Sequence, residues 1–397
     1  MKVSGIICEY NPFHNGHLYH IRKTRENGAT HIVAVMSGNF VQRGDTAIMD
    51  KLERARLAVR SGADMVIELP VQYSLASAEN FASGAVHLLD SLGAVDELSF
   101  GSECGDTEKL RKAMETVDLA ALTHADEIKS IMEKGYTYPR ALNSVVNGYD
   151  AEAAAIIAEP NNTLAVEYMR ALKRSGSAME PFTVMREKAA HDGRKTTDGF
   201  ASASMLREMI KNGESIDAFT TEDWAAAIKN AVKNGETASL SRLERVILYK
   251  LRTCSVEEIG QICDVGQGLE HRIYGARMAG SLDELLFTVK TKRYTMARIR
   301  RIMLSLLIGI TKADMELLPP YGRILAFNER GREVLARAKG SARIPFGSSI
   351  AKLSQLGDIA ERFAELEIRA SDIYGLALDT VTSAQKDYRA KIMIDME

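Results

Sequence analysis

Short apolar runs alternate with apolar stripes at helical spacing through the first hundred residues. Ile6-Ile7-Cys8, Ile32-Val33-Ala34-Val35-Met36, Met65-Val66-Ile67-Glu68-Leu69 and Leu98-Ser99-Phe100 each read as a buried strand. Asn11-Pro12, Ser37-Gly38-Asn39, Pro70 and Gly101-Ser102 close them. Between the strands, Leu52, Ala55 and Val59 share one face of a helix that stops near Gly62. Ala78, Phe81, Ala82, Ala85, Leu88, Leu89 and Leu92 mark a second helix. Strands apolar on both faces and separated by helices predict a Rossmann-like α/β architecture, a parallel sheet covered on both sides. Such sheets bind ligands at the carboxyl ends of their strands. The loops at 10–17, 37–45 and 101–106 are therefore where chemistry is expected.

Further along, helical stretches run from about 107 to 175, Phe182-Thr183-Val184-Met185 is another strand candidate, and a helix begins near Ser202. From about 215 the alternation gives way to helices, with Leu240, Leu243, Ile247 and Leu251 forming one stripe. This predicts a nucleotide-binding unit over 1–214 and a mainly helical unit over 215–397. The latter should end in a small subdomain holding Arg323–Phe327 as a strand and Arg343–Phe346 as a short edge strand.

A chain of 397 residues fits two such units. With 46% hydrophobic and 26% charged residues it has the composition of a globular protein, which excludes general disorder. Its 51 Lys and Arg against 53 Asp and Glu exclude a whole-molecule polycation, though not a local basic patch. The four cysteines form no C-x-x-C pair, which argues against a disulfide framework or a zinc knuckle. No apolar run approaches the ~20 residues of a membrane span, and the first residues lack a secretory pattern. A cytoplasmic protein without a membrane partner is expected.

His14-Asn15-Gly16-His17 carries the most chemistry. It follows a strand and opens a helix, so both imidazoles fall on one face of a first turn whose backbone N–H groups and dipole favour an anion. Gly16 allows close approach. Two imidazole donors there suit a nucleotide triphosphate and the charge that builds when its α-phosphorus is attacked. The plainer alternative is a pair of surface or capping histidines. Ser202, Ser204 and Arg207 offer a second phosphate cradle, or simply a helix cap. The stretch 285–313 holds Lys290, Lys292, Arg293, Arg298, Arg300, Arg301 and Lys312 and no acid. Its helical projection groups Ile299, Ile302, Met303, Leu306 and Ile310, with Arg298, Arg301 and Lys312 opposite. That pattern suits an RNA backbone, with Tyr294 free to stack on a base.

The chain resembles the HIGH-motif nucleotidyltransferase superfamily, through H-x-G-H after the first strand and S-x-S-x-x-R at a later helix start. More specifically, the blocks 9–17, 35–44, 63–70, 159–162 and 290–295 resemble the bacterial tRNA(Met) cytidine acetate ligase family. One departure is Ser204, where Ser-x-Thr is the commoner pattern; the hydroxyl is kept. The resemblance implies that ATP activates acetate to acetyl-adenylate. The acetyl group then passes to N4 of the wobble cytidine, position 34, of elongator tRNA(Met). It also implies that Ile7, Cys8, Glu9, Tyr10, Asn11, Pro12, Phe13, His14, Asn15, Gly16, His17, Leu18, Tyr19 and His20 wrap the ATP. Gly101, Asn162 and Arg186 would complete that pocket, with Ser202, Ser204 and Arg207 as a further phosphate clamp. Taken by itself, Cys8 reads as a packed small hydrophobe. His14 and His17 are the expected catalytic pair. Lys290, Lys292, Arg293, Tyr294, Arg298 and Arg301 are the expected tRNA contacts, and Mg²⁺ the ATP counterion, with no dedicated protein cage. The alternatives are a small-molecule adenylyltransferase making a dinucleotide-type cofactor, and a non-catalytic RNA-binding protein on a nucleotide fold.

Overall fold

The computed structural model describes residues 1–186 and 199–390, together with the backbone of 393–394. Its strands are β1 (Val3–Cys8), β2 (His31–Ser37), β3 (Phe40–Val41), β4 (Asp45–Thr46), β5 (Met65–Leu69), β6 (Glu97–Ser102), β7 (Glu180–Met185), β8 (Gly322–Phe327), β9 (Phe346–Gly347) and β10 (Met393–Ile394). The main sheet runs β10-β8-β5-β2-β1-β6-β7, with β9 beside β8, and β3 and β4 form a separate two-stranded ribbon. From β5 to β7 every pairing is parallel. Chain order runs outward from β1 in both directions, so the switch point lies at β1 and its carboxyl end opens a crevice beside β6.

Period-two alternation in the strands builds the two faces. Val33 and Val35 of β2 pack with helix Ala78–Ser91 and the helical layer of 107–175. Ile32, Ala34 and Met36 point the other way, toward helices α1 (Asn15–Glu26) and α2 (Lys51–Arg60). Both faces are covered, as the apolar strands require. A third core gathers the helices between Leu240 and Ile310 with the end of helix Asp358–Leu376.

Two features differ from the sequence expectation. Arg323–Phe327 is a strand, but it joins the main sheet antiparallel to β5 instead of standing in a terminal subdomain. Its Arg323 is the reason: the guanidinium is buried against Glu68 of β5 at 3.0 Å and Asp387 at 2.7 Å. Helix Glu222–Asn234, just beyond the expected 214/215 division, packs on the nucleotide-side sheet. There Trp224 stacks on Phe13 at 5.5 Å and donates its indole N–H to Ser61 Oγ at 3.0 Å. Neither a cross-sheet carboxylate nor a long-range ring stack leaves a periodic trace in sequence.

Candidate active site

The carboxyl ends of β1, β6 and β7 open into a cavity of about 330 Å³. Its size fits a small-molecule site. One wall is apolar and comes from Phe81, Phe100, Leu164 and Tyr168. The opposite wall carries His14, His17 and His20 of the α1 turn, with Glu9, Arg186 and Arg207 around them.

His14 is the N-cap of α1 and His17 sits three residues on. Gly16 N–H donates to His14 Nδ1 at 3.1 Å, and His14 N–H donates to His17 Nδ1 at 3.2 Å, a reciprocal capping box built from two imidazoles. The rings stack with centroids 3.7 Å apart. The capping and ligand readings of the pair are thus compatible. Because both Nδ1 atoms accept, each neutral ring carries its hydrogen on Nε2. This changes the donor set expected from sequence. The first-turn N–H groups of Gly16 and His17 are satisfied within the cap, His17 N–H by His14 O at 2.8 Å, and the ring N–H groups take their place as donors. Burial, with Arg186 nearby, lowers the pKa of His14 to about 4. His20, whose Nε2 meets Ser99 Oγ at 2.9 Å, is lowered to about 4 for the same reasons. Burial and the His14 ring hold His17 well below its usual value. All three are neutral at pH 7, and His14 and His17 present Nε2–H as donors.

Cationic charge comes from arginines instead. Arg207 is fixed by donating to Asn11 O at 2.7 Å and Ser204 Oγ at 3.3 Å. Arg186 extends the β7 pairing by donating its N–H to Ser102 O at 2.9 Å. It passes over Gly101, where a Cβ would lie 3.3 Å from Arg186 Cγ. Arg43, at the turn of the β3–β4 ribbon, lines the same cavity without a hydrogen bond or ion pair among the described residues. The one carboxylate on that side, Glu9, accepts from Gln42 N–H at 2.7 Å. Burial raises its pKa, against the pull of Arg207, Arg43 and Arg54. Three guanidiniums and neutral imidazole donors around one carboxyl group make a cavity for polyanions.

Of the residues expected around the nucleotide, Ile7, Cys8, Glu9, Tyr10, Asn11, His14, Gly16, His17, Tyr19, His20, Gly101, Arg186 and Arg207 line the cavity. Pro12, Phe13, Asn15, Leu18, Asn162, Ser202 and Ser204 do not. Asn15 Nδ2 donates to Gly199 O at 2.9 Å and to Ala218 O at 3.1 Å. Asn162 Oδ1 accepts from Glu103 and Cys104 N–H at 2.8 and 3.1 Å, pinning the loop after β6, while its neighbours Pro160 and Asn161 face the cavity. Ser202 Oγ caps its helix by accepting from Met205 N–H at 3.2 Å. Gln42, Arg43, Tyr168 and Phe200 line the cavity without having been singled out. For Gln42 and Arg43 the signal was present in the loop after β2.

The expected RNA residues divide. Ile299, Ile302, Met303, Leu306 and Ile310 are all buried, as projected, but the helix Met296–Ile308 ends at Gly309, so Lys312 lies beyond it. Tyr294 is buried and is not free to stack on a base. Arg301 pairs with Asp264 at 2.9 Å, and Arg298 donates to Asp264 O at 2.6 Å. For Arg301 the acid absent from this stretch of sequence is supplied by Asp264, 37 residues upstream, whereas Arg298 meets only the backbone carbonyl of that residue. Lys290 and Lys292 are exposed and Arg293 is half-buried.

The sequence profile described as HIGH Nucleotidyl Transferase matches residues 1–389. The chain belongs to that nucleotidyltransferase family. Within it the chain is 38% identical to the tRNA(Met) cytidine acetate ligase of Thermoanaerobacter sp. (strain X514), over 98% of both chains. It is 36% identical to that of Acetivibrio thermocellus, over 94% of both. The Thermotoga maritima TmcAL structure bound with alpha-thio ATP superposes with a TM-score of 0.90 at 30% identity, covering 99% of both chains. Its apo form superposes with a TM-score of 0.93 over 100% of both. By these measures the chain is a member of the tRNA(Met) cytidine acetate ligase family.

Proposed function

We propose that this chain uses ATP to convert acetate to acetyl-adenylate and pyrophosphate. It then passes the acetyl group to N4 of the wobble cytidine of elongator tRNA(Met), in the cytoplasm. A carboxylate oxygen of acetate attacks the α-phosphorus, and the bond to the β-phosphate breaks as pyrophosphate leaves. The cytidine amine then attacks the acetyl carbon and AMP departs. No protein nucleophile is needed. The barrier is lowered by holding two anions in line and by stabilising charge at the phosphorus. The observation that carries this reading is the stacked His14–His17 pair, tautomerically fixed with donors on Nε2, in a cavity that three arginines make cationic.

In this reading the 7–20 segment wraps ATP, and His14 and His17 bind the triphosphate. Arg186 and Arg207 share its charge, while Ser202 and Ser204 contribute by holding the Arg207 helix. The described residues include no group of three or more His, Cys, Asp or Glu side chains suited to a metal. Mg²⁺ would arrive as the ATP counterion. The RNA is received by the C-terminal helical unit, with Lys290, Lys292 and Arg293 among its contacts. A cofactor-making adenylyltransferase gains no support from the named relatives.

Acetate-dependent exchange of labelled pyrophosphate into ATP tests the activation step. Nucleoside mass spectrometry of tRNA incubated with ATP and isotopically labelled acetate tests the transfer. A folded, ATP-binding protein that shows neither would refute the proposal.

A further inference from the structure

Between Leu240 and Lys312 the chain carries 13 Lys and Arg against 7 Asp and Glu, although the whole chain is net −2. How the two signs are used differs. Several carboxylates serve as caps: Glu258 accepts from Ser255 N–H at 2.8 Å, Glu284 from Gly280 N–H at 2.8 Å, and Glu244 from Leu282 N–H at 2.9 Å. Arg242 pairs with Asp379, but three other arginines away from Asp264 are anchored on neutral carbonyls. Arg252 donates to Ala279 O at 2.9 Å, Arg277 to Tyr274 O at 2.9 Å, and Arg272 to Val289 O at 2.8 Å. None of these three has a carboxylate partner among the described residues. They are positioned and keep their full charge.

These bonds tie helix Glu244–Thr253 to Ala279 and helix Leu269–Gly275 to Val289, next to Lys290, and a ridge can be followed along the joined elements. It begins on the outer face of helix Glu244–Thr253, where Arg245, Tyr249 and Arg252 fall at i, i+4 and i+7. It crosses Arg277, stacked 3.9 Å over the Tyr274 ring, and reaches Phe287 with Lys290. Two large aromatic side chains stand open along it, Tyr249 at 69% and Phe287 at 65% exposure. Exposed aromatics interleaved with unneutralised guanidiniums match unpaired nucleotides, whose bases stack on rings while their phosphates meet the charges. A base-paired helix offers no free base faces to such a ridge.

We infer that the ridge from Arg245 through Tyr249 and Arg252 to Phe287 and Lys290 is the principal RNA interface, receiving single-stranded loop nucleotides of the tRNA. This inference rests on the function proposed above. It moves the contact surface off helix Met296–Ile308, whose Arg301 is neutralised and whose adjoining Tyr294 is buried.

The test measures affinity of the full chain for fluorescent tRNA as a function of salt, alongside acetate-dependent pyrophosphate exchange. Tyr249→Ala and Phe287→Ala should each weaken binding by about ten-fold, the range of one lost base stack. Arg245→Gln and Lys290→Gln should each lower the salt slope by about one ion. All four should leave exchange intact. Unchanged affinity in the combined variant would overturn the inference. So would equal loss of heparin binding in the two aromatic variants, because heparin carries charge without bases. Loss confined to Arg298→Ala and Arg301→Ala would return the interface to the other helix. Wild-type chain that exchanges pyrophosphate but binds no tRNA would sink the ridge and the transfer step while leaving acetate activation standing.

Discussion

Gly16→Ala separates the fold from the chemistry. A Cβ at that position would lie 2.9 Å from His14 Cε1 and 3.0 Å from His14 Nδ1. Ordinary carbon contacts begin near ~3.5 Å, so the ring must retreat by roughly half an ångström or more. Retreat breaks the Gly16 N–H to His14 Nδ1 bond and disturbs the 3.7 Å stack on His17. The hydrogen bond that fixed the tautomer is lost with it. For stability two effects oppose. Weakening the cap costs about 0.5–2 kcal/mol. Replacing glycine by alanine within a first helical turn returns up to about 1 kcal/mol. The net change stays near 1 kcal/mol, a shift of only a few degrees in Tm for a chain of this size. Activity has no such compensation. One misplaced donor at a developing charge costs ~10²–10³ in rate, and misplacement near 1 Å costs ~10². Acetate-dependent pyrophosphate exchange should therefore fall at least ~100-fold while the thermal melt barely moves. Exchange at the wild-type rate would refute the role of the imidazole pair. A collapsed melt would refute the claim that the site, and not the fold, requires this glycine.

Titration follows from the depressed imidazoles. His14 and His20 bind protons in the folded protein only near pH 4, whereas the unfolded chain binds them near 6.5. Their contribution to stability is therefore complete above pH 6.5 and is lost as pH falls toward 4, by roughly 3 kcal/mol for each ring at about 1.4 kcal/mol per pKa unit. Urea midpoints at pH 7 and 4.5 should differ accordingly, and a flat profile would contradict the neutral assignment. Lys51→Met removes the interior cation that Glu68, Glu367 and Asp387 share at 2.5, 3.4 and 2.7 Å, leaves Arg323 as the one cation on Glu68 and Asp387 among the described residues, and should cost about 3–5 kcal/mol by chemical denaturation. Arg301→Ala frees the ribbon turn at Gln42 and should raise the KM for ATP several-fold in the exchange assay, with tRNA affinity within two-fold of wild type. The opposite pattern would restore Arg301 to the RNA.

Local patterns were legible where the physics was local. Apolar runs gave β1, β2, β5 and β6 to within a few residues, and H-x-G-H gave the α1 turn, because a strand and a first helical turn each act over a handful of positions. The cavity's apolar wall was hidden for the opposite reason. Phe81 carries the same signal in a core helix as it does lining a ligand site, and Tyr168 meets Phe100 at 5.8 Å only after the sheet has formed. The partner of Arg301 was hidden because charge balance was read along the chain. Asp264 neutralises Arg301 across 37 residues of sequence and 2.9 Å of space. β8 likewise reads as a strand, but its place beside β5 depends on Glu68 meeting Arg323 across 255 residues.

These long-range contacts also tie the helices beyond Leu240 to the cavity wall. The β3–β4 ribbon turns at Gly44, whose φ of +71° places it against helix Met296–Ile308 so closely that a Cβ would lie 2.6 Å from Arg301 N. Arg301, held by Asp264, donates to Gln42 O at 3.4 Å, and Gln42 N–H holds the Glu9 carboxyl group of the cavity at 2.7 Å. Helix Met296–Ile308 therefore braces the ribbon that carries Gln42 and Arg43 to the cavity wall. Their positions at the cavity thus depend on this contact with helix Met296–Ile308, and this gives the long loop after β2 a structural reason to reach so far from the sheet.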